Sequence, residues 1–326
     1  MVLWAVDGSS VPVPDTQEMR QIFGGVTNRP GGQMSATARI CVVYDVLNCL
    51  AIKGFLHPCT VSEEEVLPQC LSDMELENKL LLFDRGYPSY WLMYLLMQRG
   101  AKFVMRVASN ANNVVKKFLA SQDDTDLTVA WCPPYASLKK LRGRGISITE
   151  HTSIKIRLVK VLLETGEREV LITNLYDTDV YTKEDLKKVY HLRWGIETYY
   201  GYMKEELQLG QFSGIRLICI EQDFAANLLL FNLQSLIEKQ TEPYVEAVSK
   251  KRKYRYKVNK NSSWASLKYR VVHLFLQEDC RHILIELEKL FGHYLEPVRP
   301  GRKYTRTKKR KTNIKYFTLT NYKRAL

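Results

Sequence analysis

The chain has 326 residues, of which 45% are hydrophobic and 25% are charged, a balance that excludes a wholly disordered protein. No apolar run is long enough to span a membrane, and the N-terminus lacks the features of a secretory signal, so we expect a cytoplasmic protein without a membrane partner. The formal net charge of +13 favours a polyanionic partner such as nucleic acid.

The seven cysteines are odd in number, and no pair has the Cys-x-x-Cys spacing of a metal or redox site. We therefore expect free thiols in a reducing compartment. The six histidines also lack metal-ligand spacing. Any metal ion should accordingly have oxygen ligands, which favours Mg²⁺ or Mn²⁺ over zinc.

The first part of the chain alternates between predicted strands and helices. In chain order these are strands at residues 2–7, 38–44 and 50–56, a helix from residue 62, a strand at 79–83, a helix at 89–99 and a strand at 102–107. The first three strands are predicted to pair as an antiparallel meander. The helix that follows them has Ser62 as its N-cap and Glu65 as the capping-box partner.

The middle of the chain has a different pattern, in which short β-type segments alternate with polar turns. The predicted strands lie at residues 128–131, 155–163 and 168–174, and they are followed by helices at 183–207 and 221–239. We interpret residues 108–180 as a mostly β insertion. The whole succession predicts an α/β fold, with a mixed sheet flanked by helices.

Basic residues are concentrated in two acid-free segments near the end of the chain. Residues 250–260 carry seven Lys or Arg, and residues 298–312 carry eight. Both segments contain tyrosine among the cations, a pattern typical of surfaces that bind a phosphate backbone through counterion release. The alternative is a solvated basic tail.

Two aspartates follow predicted apolar strands. Asp7 ends the first strand and is followed by a predicted Gly-Ser-Ser turn, whereas Asp84 ends the strand at 79–83 and is followed closely by Gly86. A carboxylate at the end of a strand is held rigidly, and a nearby glycine lets a ligand approach the backbone. An ordinary turn-forming aspartate is the alternative for each position.

A third acid lies on the helix predicted at residues 183–207. At about 100° per residue, one arc of roughly 80° on this helix carries Tyr190, Arg193, Glu197, Gly201 and Lys204. One carboxylate therefore shares a polar face with a phenol, a guanidinium and an ammonium group. The alternative is a plain amphipathic helix, in which Arg193 and Glu197 form a solubilising i, i+4 pair.

Three separated carboxylates suit one particular chemistry. In-line cleavage of a phosphodiester uses two metal ions about 3.5–4 Å apart, and Mg²⁺ needs few protein ligands because it keeps several waters. Neighbouring cations would then bind phosphates, Arg as a bidentate fork and Lys as a point charge.

These motifs resemble those of bacterial insertion-sequence transposases of the "insertion sequence four" family, over residues 2 to about 240. The matching positions are the signature Tyr190-x-x-Arg193-x-x-x-Glu197-x-x-x-x-x-x-Lys204 and the acidic motifs Asp7-Gly8-Ser9 and Asp84-Arg85-Gly86-Tyr87. The resemblance implies a ribonuclease-H-like fold with a mostly β insertion between the second Asp and the Glu. It also implies cut-and-paste transposition, through a hairpin intermediate in relatives.

The same resemblance assigns roles to individual residues. It implies that Asp7, Asp84 and Glu197 are the catalytic residues and the ligands of two Mg²⁺ or Mn²⁺ ions. It implies that Tyr190, Arg193 and Lys204 bind terminal phosphates of the transposon end. Relatives also stack a flipped base on an aromatic residue of the insertion, for which the candidate here is Trp131; packing in the core is the alternative for this tryptophan.

The resemblance further implies partners and a domain order. The expected partners are double-stranded DNA, as terminal inverted repeats and target, and a second copy of the chain on paired ends, in the bacterial nucleoid. Residues 1–107 and 181–242 are expected to form the catalytic core, around the insertion at 108–180. Residues 243–326 are expected to form a basic C-terminal region.

Family members usually carry an N-terminal helical region that recognises the transposon end, whereas the first predicted strand here begins at residue 2. We therefore expect either a truncated chain or end recognition by another segment. Two alternatives to an active transposase remain open from the sequence. One is an inactive DNA-binding or dimerising remnant that inhibits full-length transposase, and the other is a structure-specific nuclease without strand transfer.

Overall fold

A computed structural model describes residues 1–27, 34–109, 111–121, 125–162 and 166–299. The strands in these ranges are β1 (Val2–Pro12), β2 (Gly25–Val26), β3 (Ser35–Asp45), β4 (Leu50–Pro58), β5 (Lys79–Phe83), β6 (Lys102–Val107), β7 (Asp126–Trp131), β8 (Ile154–Leu162), β9 (Arg168–Thr173), β10 (Arg255–Val258) and β11 (Leu295–Val298). The helices are α1 (Gln17–Phe23), α2 (Glu63–Cys70), α3 (Tyr90–Gln98), α4 (Asn113–Ala120), α5 (Tyr135–Gly143), α6 (Lys183–His191), α7 (Trp194–Glu205), α8 (Leu217–Lys250), α9 (Lys260–Lys268), α10 (Val271–Leu276) and α11 (Arg281–His293).

The chain divides into two compact units. The first comprises the described residues of Met1–Tyr202 and Ile215–Leu217, and the second comprises Met203–Gly214 and the described residues from Ile218 to Arg299. Within the part of the chain that the structure describes, no helix is long and apolar enough to cross a membrane.

The first unit is built on one mixed sheet with the strand order β2-β3-β1-β5-β6-β9-β8-β7, and β4 pairs with β3. The pairs β1–β5 and β5–β6 are parallel, and the remaining pairs are antiparallel. The predicted mixed α/β sheet with flanking helices is therefore confirmed. The predicted antiparallel meander is also present, because β1 pairs with β3 and β3 pairs with β4.

Local sequence accounts for the elements around the centre of the sheet. The four residues Leu80–Phe83 of β5 are all buried, as expected for a central parallel strand that is covered on both faces. The hydroxyl of Ser62 accepts a hydrogen bond from the Glu65 amide at 3.3 Å, and this cap begins α2 as the sequence predicts.

The turn predicted after Asp7 is wrong, because β1 continues to Pro12. Residues Gly8–Pro12 pair with Cys41–Thr37 of β3, and this pairing supports an extended backbone where the sequence suggested a turn. On its other side, β1 pairs with β5 only as far as Val6 and Phe83. Asp7 therefore lies within a strand, at the level where β5 ends and the described sheet opens beside β1.

The single helix predicted at residues 183–207 is also wrong, because α6 and α7 are separate helices. The amide of Arg193 donates to the Tyr190 carbonyl, and the amide of Ile196 donates to the Arg193 carbonyl, both at 3.1 Å. These i→i−3 hydrogen bonds replace the i→i−4 pattern and tighten the chain for about one turn. The short connection still keeps Tyr190, Arg193 and Glu197 close together.

Residues 108–180 contain the three predicted strands as β7, β8 and β9. These strands hydrogen-bond onto β6 and extend the central sheet. The same segment also contains α4 and α5, which the sequence analysis missed. Each of these short helices buries two apolar side chains, Val115 and Phe118 in α4 and Leu138 and Leu141 in α5.

Different helices pack on the two faces of the sheet. Val43 of β3 belongs to the core that is shared with α2, α3, α4 and α5. The next residue, Tyr44, points to the opposite face, because side chains alternate along a strand. There its ring packs against Tyr199 of α7, with ring centroids 5.1 Å apart. Helices α2 and α7 therefore lie on opposite faces of the sheet.

The second unit has its own apolar core. Its buried members are Ile237, Val245, Val258, Leu267, Ile283, Leu287 and Phe291. The helix predicted at residues 221–239 lies within α8, and β10 pairs antiparallel with β11. The first basic segment lies at the end of α8 and in β10, whereas residues 300–312 of the second basic segment lie outside the described residues.

Candidate active site

Asp7 and Asp84 lie side by side on neighbouring parallel strands. Val6 of β1 is opposite Phe83 of β5, so the two aspartates follow at the same level. Adjacent strands are about 4.8 Å apart, and the carboxylate of Asp84 is close enough to repel that of Asp7. The Gly8 amide donates to Asp7 Oδ1 at 2.9 Å, and Tyr200 Oη of α7 donates to the Asp7 carbonyl at 2.8 Å.

Arg193 joins Glu197 to this pair. Its guanidinium is buried, with Nη2 at 2.6 Å from Glu197 Oε1 and Nη1 at 3.8 Å from Asp7 Oδ2. One side chain in the connection between α6 and α7 thus contacts a carboxylate of the sheet and a carboxylate of the helix. Asp7, Asp84 and Glu197 therefore all lie within electrostatic reach of Arg193.

A second arginine, which the sequence analysis missed, contacts Asp84. Arg106 Nη2 of β6 lies 3.0 Å from Asp84 Oδ1, and Nη1 lies 2.5 Å from Glu169 Oε1. Asp84 Oδ1 is buried and accepts no hydrogen bond of good geometry from any described residue. An arginine inside the apolar strand KFVMRV was the signal for this contact, because a buried strand seldom carries an unpaired charge.

The carboxyl group of Asp7 has a raised pKa. Burial raises its pKa from 3.8 to about 6, and repulsion by the carboxylates of Glu63 and Asp84 adds to the increase. The Gly8 amide and the charge of Arg193 act in the opposite direction without cancelling it. Burial, together with the neighbouring carboxylates, therefore disfavours the ionised form of Asp7.

The residues predicted to bind phosphate occupy different environments. Tyr190 is buried at the end of α6, and its hydroxyl has no hydrogen-bond partner among the described residues. The guanidinium carbon of Arg193 lies 5.7 Å from the centre of the Tyr190 ring. Lys204 lies on α7, two turns beyond Glu197, and is exposed. Trp131 ends β7 and is separated from β1 by four strands, and it packs partly buried against the core.

Residues 1–233 match the family model described as "Transposase DDE domain". The chain belongs to this family. Its members are DNA transposases, a class of enzymes that cut and transfer DNA strands and generally use divalent metal ions. Comparison with curated protein sequences gives no match.

Among solved structures, this chain is similar to a piggyBac transposase, seen by cryo-electron microscopy in a synaptic complex with hairpin DNA. The TM-score is 0.49 and the sequence identity is 12%. The alignment covers 95% of this chain and 60% of the piggyBac chain, so this chain spans less than two thirds of the length of that transposase.

The carboxylates of Asp7, Asp84 and Glu197 fit a divalent cation by their chemistry. They offer oxygen ligands, Asp84 Oδ1 is buried without a hydrogen bond in the described structure, and Asp7 is under electrostatic repulsion. Within the described ranges, no group of three or more His, Cys, Asp or Glu side chains is already arranged around one point. The guanidinium of Arg193 lies between Asp7 and Glu197 and forms an ion pair with each.

Two further residues near Asp7 were not singled out from the sequence. A Cβ atom on Gly8 would lie only 2.2 Å from Cδ of Glu63, the first residue of α2. Tyr87 is buried beside the same groups, and burial raises the pKa of its phenol, with the charges of Glu63 and Asp7 adding to the increase. Tyr87 lies in the second acidic motif, whereas for Glu63 no local pattern distinguishes it from a helix-starting acid.

The raised pKa of Asp7 predicts a pH dependence of stability. Between pH 4 and 6 the folded chain holds a proton on Asp7 that the unfolded chain has lost, so stability contributed by this group falls as pH rises through that range. We expect Asp7→Asn, without added divalent cations, to raise the free energy of unfolding by roughly 2 to 3 kcal/mol at pH 7.5 and by little at pH 4. Urea unfolding at both pH values measures this difference.

The exposed Asp179 provides a matched control for this substitution. Asp179→Asn should change the free energy of unfolding by similar small amounts at both pH values. If the effect of Asp7→Asn is likewise the same at pH 4 and pH 7.5, the carboxyl group of Asp7 is not perturbed by its surroundings.

Proposed function

We propose that this protein catalyses cut-and-paste transposition of a DNA element, with Asp7, Asp84 and Glu197 as its catalytic carboxylates. The observation that carries the proposal is the convergence of two strand residues and one helix residue around the end of β5. We further propose a ribonuclease-H-like core. Its support is the order of three antiparallel strands, β4-β3-β1, followed by the parallel strands β5 and β6.

The three carboxylates would hold two Mg²⁺ or Mn²⁺ ions. Bound there, the ions would supply activation of the attacking oxygen and stabilisation of the leaving oxygen in an in-line displacement. Asp7 needs to be ionised for this role, and the fraction ionised rises as pH increases above about 6. The oxygen-only donor set and the lack of histidine ligands favour these hard cations.

The reaction has two displacement steps. In the first, the oxygen of a water bonds to the phosphorus at the transposon end, the bond from phosphorus to the 3′ oxygen breaks, and a 3′-hydroxyl is released. In the second, that hydroxyl oxygen bonds to a phosphorus of the target strand, and the target's own bond to its 3′ oxygen breaks. A hairpin on the transposon end, formed and reopened between these steps, follows the pattern of family relatives.

Arg193, Tyr190 and Lys204 would bind phosphates of the transposon end. Nε and Nη1 of Arg193 have no hydrogen-bond acceptor in the described part of the chain, so the guanidinium has donors to offer. An arginine can bind a phosphate with two parallel hydrogen bonds. The phenol of Tyr190 and the ammonium group of Lys204 would add further contacts to the phosphates. Trp131 would stack on a flipped base, since it ends the outermost strand of the sheet and is only partly buried.

The proposed partners are double-stranded DNA and a second copy of the chain. The DNA would be the terminal inverted repeats and the target, bound in the bacterial nucleoid by two copies on paired ends. Arg255 and Lys257 of β10 are exposed within the first basic segment and would contact phosphates. The catalytic core would comprise residues 1–107 and 181–242, with 108–180 as the insertion and 243–326 as the basic C-terminal region.

A strand-transfer assay tests this function. DNA with pre-cut transposon ends that carry a 3′-hydroxyl is incubated with the protein, a plasmid target and Mg²⁺ or Mn²⁺. We expect joined products in the presence of metal and none with a chelator. Nicking without joining would instead identify a structure-specific nuclease, and salt-sensitive binding without either reaction would identify an inactive DNA-binding remnant.

A further inference from the structure

Glu63 occupies the space beside Asp7 that a side chain at position 8 would otherwise fill. A Cβ atom on Gly8 would lie 2.2 Å from Cδ and 2.4 Å from Oε1 of Glu63, far inside van der Waals contact. Gly8 lies within β1 and not in a turn. The requirement for glycine here therefore comes from the carboxylate of Glu63 and not from a backbone turn.

The carboxylate of Glu63 approaches from the face of the sheet opposite to Glu197. Glu63 is the first residue of α2, which packs on one face of the sheet. Glu197 is on α7, which packs on the other face. Since β5 ends at Phe83, the sheet opens beside Asp7 and groups from both faces can reach one place. The carboxylate of Glu63 is close enough to Asp7 to repel it, and this repulsion contributes to the raised pKa of Asp7.

The polar groups around Glu63 are only weakly paired with other described residues. Its only ion pair within the described residues is with Arg39, and the distance from Arg39 Nε to Oε1 is 3.9 Å, too long for a hydrogen bond. Tyr87 is 1% exposed, and its hydroxyl, within electrostatic reach of Glu63 and Asp7, has no hydrogen-bond partner in the described structure. A buried hydroxyl without a partner is costly, and a polar ligand bound beside it would remove that cost.

We propose that Glu63 is a fourth carboxylate ligand of the divalent-cation site, acting with Asp7 from the α2 face while Glu197 acts from the α7 face. This inference rests on the proposed function, because it presupposes a cation site at Asp7, Asp84 and Glu197. It adds a ligand that no motif of the sequence indicates. It also explains why residue 8 is glycine, since a larger side chain there would displace the Glu63 carboxylate. A site for two cations needs ligands around each ion, and carboxylates from the two faces of the sheet can provide them.

Mn²⁺ binding to the full chain tests the proposal without relying on catalysis. The loss of the free Mn²⁺ signal in electron paramagnetic resonance is measured for the wild type, Glu63→Gln and Glu65→Gln. We expect Glu63→Gln to weaken binding by about tenfold or more. Glu65→Gln removes the same charge from the same helical turn, where Glu65 pairs with Lys140 at the surface, and should leave binding unchanged.

A second pair of variants tests the contact between Gly8 and Glu63. Gly8→Ala should displace the carboxylate and weaken Mn²⁺ binding by about tenfold. In a Glu63→Ala background the same change should cause no further loss, because the two effects share one cause. Circular dichroism monitors folding, and Glu63→Asp, which keeps the charge on a shorter side chain, replaces Glu63→Gln if that variant unfolds.

The outcomes separate this inference from the proposed function. If Glu63→Gln binds Mn²⁺ like the wild type while Asp84→Asn loses binding, the fourth ligand is refuted and the three-carboxylate site stands. If the wild type binds no more Mn²⁺ than Asp84→Asn, the cation site itself is refuted, and the fourth ligand with it. Additive losses from Gly8→Ala and Glu63→Ala would also overturn the role of Glu63.

Discussion

Glu197→Gln should abolish metal-dependent cleavage of transposon-end DNA while DNA binding persists. Glutamine has the same size and can still accept a hydrogen bond from Arg193, but it lacks the charge that a cation ligand needs. We expect the cleavage rate to fall by at least about a thousandfold, which corresponds to roughly 4 kcal/mol in the activation free energy. Nicking of labelled end DNA in Mg²⁺, together with a binding assay in Ca²⁺, measures both effects.

Glu184→Gln is the matched control, because Glu184 lies exposed in the first turn of α6. This variant should cut and bind like the wild type. Cleavage by Glu197→Gln at the wild-type rate would show that the carboxylate is not part of the catalytic site. Loss of DNA binding together with cleavage would point to a structural role for the side chain.

Arg157→Met should cause the largest loss of stability in the first unit. Arg157 of β8 is fully buried and hydrogen-bonds to Asp126 of β7 through Nε and Nη2, at 2.8 and 2.5 Å. Its Nη1 also donates to the carbonyls of Leu175 and Tyr181, both at 2.9 Å. Methionine fills the volume but leaves these acceptors unpaired, so we expect a loss of about 3 to 5 kcal/mol in the free energy of unfolding.

Urea unfolding of the wild type and of Arg157→Met measures this loss. Arg157→Lys should recover little of the lost stability, because an ammonium group cannot form the same fork of hydrogen bonds. The exposed Arg168 of β9 supplies the control, since Arg168→Met should change stability only slightly. A loss below about 1 kcal/mol for Arg157→Met would mean that the buried network is not important for folding.

The sequence predicted best the elements whose pattern is local. Strands β5 and β6 have the predicted bounds, because each is an apolar run that ends at a charge or a turn. The prediction from the sequence failed for β1, where Gly8, Ser9 and Ser10 suggest a turn but the pairing with β3 keeps the chain extended. Short helices such as α4 and α5 were missed because each has only about two turns in which to show a period.

The same distinction applies to the candidate site. Asp7, Asp84 and Glu197 could be selected because each belongs to a short motif with its own spacing. Arg106 and Glu169 could not be paired from the sequence, because they are 63 positions apart and meet only through the contact between β6 and β9. The path of the chain through the sheet determines such contacts, and no local pattern encodes it.

The break between α6 and α7 also limits how this region can change in length. Arg193 lies in the tight connection, and the carboxylate of Glu197 is reached one helical turn later. An extra residue inserted between them would rotate the acid by about 100° around the helix axis and carry it away from the guanidinium. The three-residue interval between arginine and glutamate is thus a fixed length, and an insertion or deletion there should separate the two side chains, whereas substitution of the exposed Trp194 keeps their spacing.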